Sequence, residues 1–171
     1  MVRKYVRLAI AVIVFLGSIS LFVTDSVYYG LLVLMFSGLF VLTHFKNEKL
    51  LMAFYYLRKN NFEKAGSVLA KIKHPESMIK TQESYFYFLT ASVELQSHKN
   101  SQADKNFKKA LNMGLRLDSD KAVAKLNLAG ISLSRRNKKM AQHYLREAKS
   151  LDSKKILTAQ IRELDGMMKR M

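Results

Sequence analysis

The chain has no cysteine, no tryptophan, a single proline (Pro75) and seven glycines in 171 residues. Without cysteine there is no disulfide framework, no thiolate zinc site and no thiol nucleophile. So few glycines and prolines leave little room for phosphate-cradling loops or for a turn-rich β-fold. Acidic residues are also scarce: 13 Asp and Glu stand against 29 Lys and Arg, a net charge of +16. Charge is absent altogether from residues 8–24 and 26–43, so the apolar residues are concentrated at one end. At about 100–200 residues per domain, the length allows one folded domain and an appendage.

The appendage is expected over residues 1–46. Arg3, Lys4 and Arg7 precede the first uncharged run, and only Thr24-Asp25-Ser26 separates it from the second. A hydrocarbon core of ~30 Å needs about 20 apolar residues in a helix. The pattern predicts a transmembrane helical hairpin with spans at about 5–24 and 27–45. The first run is longer than the apolar region of a cleavable leader, and no Ala-x-Ala site follows it. Cations flank both outer ends while the connecting loop holds none, which predicts an integral, multi-pass protein of the cytoplasmic membrane. Both termini and the C-terminal domain would then be cytoplasmic. Neither run carries a charged residue; a transporter or proton relay usually needs an ionisable group within the membrane, so an anchor is the expected role.

Residues 47–154 are repetitive. Ala53, Ala91 and Ala129 are spaced by 38, as are Leu57, Leu95 and Leu133, and Ala65, Ala103 and Ala141. Leu50, Phe88 and Leu126 keep the same spacing, as do Leu69, Phe107 and Leu145, and Ile72, Ala110 and Ala148. Within each copy the apolar residues fall at helical spacing in two blocks separated by a short polar turn. The first copy has its turn at Arg58–Asn61, its second block closed by His74-Pro75. The second copy has helices over about Glu83–Gln96 and Ser101–Leu115, with Ser101 and Asp104 placed like a capping box. The third has helices over about Ser119–Ser134 and Lys138–Leu151. No strand-like alternation occurs. Residues 155–171 carry an apolar stripe (Ile156, Leu157, Ile161, Leu164, Met168), as a capping helix would.

The paired helices resemble tetratricopeptide repeats. A small residue lies mid-way along the first helix (Ala53, Ala91, Ala129) and an Ala opens the packing face of the second, twelve residues on (Ala65, Ala103, Ala141). A large apolar residue follows four later. The repeat departs from the family pattern in its period, 38 against ~34, and in lacking the early Trp and terminal Pro. The resemblance implies an all-α fold, a helical-hairpin solenoid of about three repeats, in which first helices line a concave face. Carried onto this chain, that face comprises Asn47, Phe54 and Arg58; Tyr85, Leu89, Ser92 and Gln96; and Val123, Asn127 and Ser134. Some family members clamp a C-terminal carboxylate with Lys and Asn; Leu50 and Phe54 stand at those places, so that clamp is not expected here.

No catalytic constellation is present. His44, His74, His98 and His143 show no metal-ligand spacing, and no phosphate-loop, nucleophile-elbow or zinc-protease motif occurs. Asp118 and Asp120 flank a helix start, where capping explains them. Neither enzyme activity nor a cofactor or metal is expected.

What remains is surface. The three intra-repeat turns carry Arg58 and Lys59, then Lys99, then Arg135, Arg136, Lys138 and Lys139, which would form a basic stripe along one edge. The expected function is a membrane-anchored scaffold or adaptor. Its groove would recruit a protein partner, a peptide or helix of a membrane-complex subunit. Two other readings stay open. The hairpin docks into a larger complex with the repeats as spacer, or the basic edge holds anionic lipid headgroups or RNA. Nucleic acid is the least expected partner, because three repeats read too few bases.

Overall fold

The computed structural model describes residues 47–170, and Ile13, Tyr28, Tyr29, Leu31 and Val33 before them. The chain divides into two compact units, Met1–Asn47 and Glu48–Met171. The expected spans at 5–24 and 27–45 lie outside the described residues, apart from those five positions. Among the described residues no helix is long and apolar enough to cross a membrane. Among the described residues the longest helices have 17 residues, and each carries charged side chains: Lys80, Glu83 and Glu94 in one, and Asp118, Asp120, Lys121 and Lys125 in the other. The placement as a multi-pass membrane protein is corrected accordingly.

The second unit is all-helical. Its elements are α1 (Glu48–Arg58), α2 (Phe62–Ala70), a 3-10 turn (Pro75–Ser77), α3 (Lys80–Gln96), α4 (Asn100–Met113), α5 (Asp118–Ser134), α6 (Lys138–Leu151) and α7 (Thr158–Lys169). There is no strand among the described residues. The helices pair in chain order, α1 on α2, α3 on α4 and α5 on α6. Successive pairs meet through α2 with α3, α4 with α5 and α1 with α3, and α7 closes against α6 and α5.

The 38-residue columns are the core of this unit. Ala53, Ala91 and Ala129 are at most 1% exposed, and so are Ala65, Ala103 and Ala141. A methyl group at these positions lets two helix backbones approach closely, and a larger side chain would force them apart. Leu50, Phe88 and Leu126 are buried, as are Leu69, Phe107 and Leu145. Phe107 is fully buried and meets Phe88 edge-to-face at 6.0 Å, joining α4 to α3. Ile72 departs from its column, being half-buried where Ala110 and Ala148 are buried, because α2 ends two residues earlier.

The turns repeat as faithfully as the core. Asn60, His98 and Arg136, again 38 apart, have φ of 55°, 57° and 58°. Each is the left-handed residue of a Schellman motif. Asn61 N, Lys99 N and Asn137 N donate to the carbonyls of Tyr56, Glu94 and Ser132, each at 2.9 Å. Asn60 N, His98 N and Arg136 N donate to Leu57, Leu95 and Leu133 at 2.8–3.0 Å. The next helix starts at once. The side chains of Asn61 and Asn137 accept from Lys64 N and Met140 N, each at 3.1 Å, which satisfies one free donor of α2 and of α6.

Several helix ends differ from the sequence reading. Lys99, not Ser101, is the N-cap of α4, because the left-handed turn at His98 delivers the chain directly into the helix. Ser101 therefore sits inside α4, and no capping box forms. Pro75 does not stop α2, which ends at Ala70. Lys49 Nζ caps that end through the Lys71 carbonyl at 2.8 Å, and Pro75 instead opens the 3-10 turn. Leu117, not Asp118 or Asp120, is the N-cap of α5; the two aspartates occupy its first turn, where their charge suits the helix dipole. In the C-terminal stripe Ile156 is 64% exposed while Leu157 and Met168 are buried. Both carboxylate oxygens of Asp152 accept backbone N–H groups, of Ile156 at 2.9 Å and Leu157 at 2.8 Å, which turns Ile156 outward.

Candidate protein-binding cleft

The first helices of the three pairs border a cleft of about 370 Å³. From α1 come Phe54, Leu57 and Arg58, and from the start of α2, Phe62. From α3 come Phe88, Leu89, Ser92, Leu95 and Gln96, and from α5, Asn127. The floor is apolar and firm: Leu89 is 2% exposed, and Phe88 is fixed by its contact with Phe107. Arg58 is the sole charged residue lining it. Ser92 Oγ is committed to the Phe88 carbonyl at 3.0 Å. The side-chain amides of Gln96 and Asn127 form no hydrogen bond with another described residue.

The cleft gathers Phe54, Arg58, Leu89, Ser92, Gln96 and Asn127 out of the groove positions expected from the sequence. The others fall elsewhere. Tyr85 is half-buried and directed at α5, its hydroxyl donating to Asp120 Oδ2 at 2.6 Å. Burial, and next the hydrogen bond to that carboxylate, push its phenol up to about 12. Val123 packs against the core. Ser134 is exposed and donates back to the Ile131 carbonyl at 2.8 Å, within its own helix end. Asn47 belongs to the first unit.

Leu57, Phe62, Phe88 and Leu95 line the cleft without having been singled out as groove residues. Leu57 and Leu95 belong to a core column whose third member, Leu133, is buried, whereas these two are half-exposed. An apolar column ending beside a polar turn was the available signal, and it reads equally well as core.

The turn cations Arg58, Lys59, Lys99, Arg135, Arg136, Lys138 and Lys139 are all exposed. Two are engaged: Lys59 Nζ lies 4.7 Å from the Tyr55 ring centroid, and Arg135 is 3.3 Å from Asp104 Oδ2. The carboxylate of Asp104 is nearly buried on α4 and also receives Lys108 at 3.0 Å. Arg135 is thus part of the packing between successive pairs.

Among the described residues no group of three or more His, Cys, Asp or Glu is placed to hold a metal ion. No protein-family model matches the chain, and no curated protein or solved structure matches it.

Proposed function

We propose that the second unit is an interaction module of the tetratricopeptide type, a helical-hairpin solenoid that acts as a scaffold or adaptor. Its cleft holds a helix or extended segment of a partner protein. The observation that carries this reading is the cleft itself. Three consecutive pairs each contribute their first helix to one depression with an apolar floor and unengaged amides at its rim. Such a combination suits peptide capture: the floor supplies affinity, and the amides fix the register of a bound backbone. The likeness to the family rests on the Ala and large-apolar columns, which are the columns that bury.

Chemical crosslinking followed by pull-down from the native cell tests the reading, with the full chain and its Ser92→Trp variant as baits. Ser92 is half-buried on the cleft wall, so an indole there fills the depression. A partner recovered with the parent and lost with a Ser92→Trp variant of unchanged Tm is the expected result. Equal recovery by both baits would refute the cleft as the working site.

A further inference from the structure

The chemistry of the occupant follows from what borders the cleft, and this inference rests on reading the cleft as a partner-binding site. Its floor at Phe88 and Leu89 is apolar, and no carboxylate lines it. Its volume lies at the low end of ligand sites, roughly 300–1,000 Å³, which suits one or two side chains rather than the whole face of a helix. One end reaches the turn edge. Arg58, on the wall, immediately precedes the first Schellman turn, and Gln96 immediately precedes the second. A segment leaving the cleft at that end passes Lys59 and Lys99, both exposed. In the third turn Arg135 is held by Asp104, while Arg136, Lys138 and Lys139 are exposed. Residues 47–171 hold 25 of the 29 Lys and Arg but 12 of the 13 Asp and Glu, so the long-range field also favours an anion.

We propose that the occupant is an acidic amphipathic segment of a partner protein. A bulky apolar side chain seats on Phe88 and Leu89, and the carboxylates beside it lie over Arg58, Lys59 and Lys99. The apolar floor sets this apart from a polyanion such as RNA, which would gain from the cations and nothing from the floor. The amides of Gln96 and Asn127 hold the segment's backbone between the two contacts.

The test is selection of a random twelve-residue peptide library, displayed on phage, against the full-length chain. Parallel selections use the Ser92→Trp variant and an Arg58→Glu/Lys59→Glu/Lys99→Glu variant, each checked for an unchanged melting curve. Expected is enrichment of peptides with a bulky apolar residue flanked by Asp or Glu, none of them retained by Ser92→Trp. The best synthetic peptide should bind the charge-reversed variant at least about tenfold more weakly, and bind the parent more weakly as salt rises. Peptides lost on Ser92→Trp but without excess acid, and indifferent to charge reversal, would overturn this inference while leaving the cleft as a binding site. If no enriched peptide is sensitive to Ser92→Trp, the cleft reading fails as well. Displacement of the peptide by a single-stranded RNA or by anionic lipid vesicles, but not by a second acidic peptide, would likewise overturn it in favour of a general polyanion edge.

Discussion

The hydroxyl of Tyr85 donates to Asp120 Oδ2 at 2.6 Å, thirty-five residues along the chain. The bond joins the first helix of one pair to the first turn of the first helix of the next. Asp120 lies on the same helix that contributes Asn127 to the cleft. Removing the hydroxyl in Tyr85→Phe should cost about 1–2 kcal/mol, as for a hydrogen bond to a charged group that is only partly buried. Denaturant unfolding at neutral pH measures it, and Asp120→Asn, which keeps an acceptor, should cost less.

The same pair makes stability depend on pH. The phenol of Tyr85 is held up to about 12, chiefly by burial and then by the Asp120 carboxylate. The folded state therefore keeps a proton that the unfolded chain releases near pH 10. This contribution is complete below pH 10 and is lost as pH rises from 10 to 12. Unfolding free energies at pH 8 and pH 11 should fall more for the parent than for Tyr85→Phe. An equal fall in both would show that Tyr85 titrates normally in the folded protein.

The three Schellman turns place non-glycine residues at positive φ. An L side chain is strained there by roughly 1–2 kcal/mol, with Asn the best tolerated. His98→Gly and Arg136→Gly should each stabilise by roughly 0.5–1 kcal/mol, and Asn60→Gly by less. His98→Val should destabilise, since a β-branched side chain fits that conformation worst. Thermal melts of the four variants test the ranking.

Phe107 is fully buried and holds Phe88, the cleft floor, from behind. Phe107→Ala should cost about 3–5 kcal/mol. In the surviving folded fraction Phe88 would lose its edge contact, so a cleft-bound peptide should weaken without any change in a residue it touches. Phe107→Leu, which refills part of the volume, should restore most of both.

The turn cations differ in consequence. Arg135→Ala removes one of two partners from the nearly buried Asp104 carboxylate and should destabilise by about 1 kcal/mol. Arg136→Ala and Lys139→Ala, on exposed side chains, should leave the melting temperature within error.

The core was legible because the same packing problem is solved three times. An Ala that must be Ala at 53, 91 and 129 stands out from any single-copy pattern, and every member of that column is buried. The helix pairs and their turns followed from it. Helix starts were less legible. The first turn of α3, from Lys80, depends on the extended backbone of Ile79 after the 3-10 turn, which apolar periodicity does not report. The cleft was half legible. Positions that face it from α3, such as Ser92 and Gln96, are polar among apolar neighbours and so were visible. Phe62 and Leu57 are apolar and resemble core. The direction of Tyr85 is not legible in the sequence, because four consecutive aromatics, Tyr85 to Phe88, cannot be phased around a helix by type alone. Its acceptor, Asp120, lies 35 residues away in the first turn of α5, beyond the reach of local periodicity.

The absence of cysteine makes the most direct measurement available. A benzophenone photo-crosslinker on Gln96→Cys samples the cleft rim, and the same group on Gln142→Cys samples the exposed face of α6. Both are expressed as full-length chains in the native cell. The expected result is one crosslinked protein from position 96 that is absent from position 142, its attachment mapping to a segment with an apolar side chain beside carboxylates. The same product from both positions, or a product from position 142 alone, would contradict the cleft as the site of recognition.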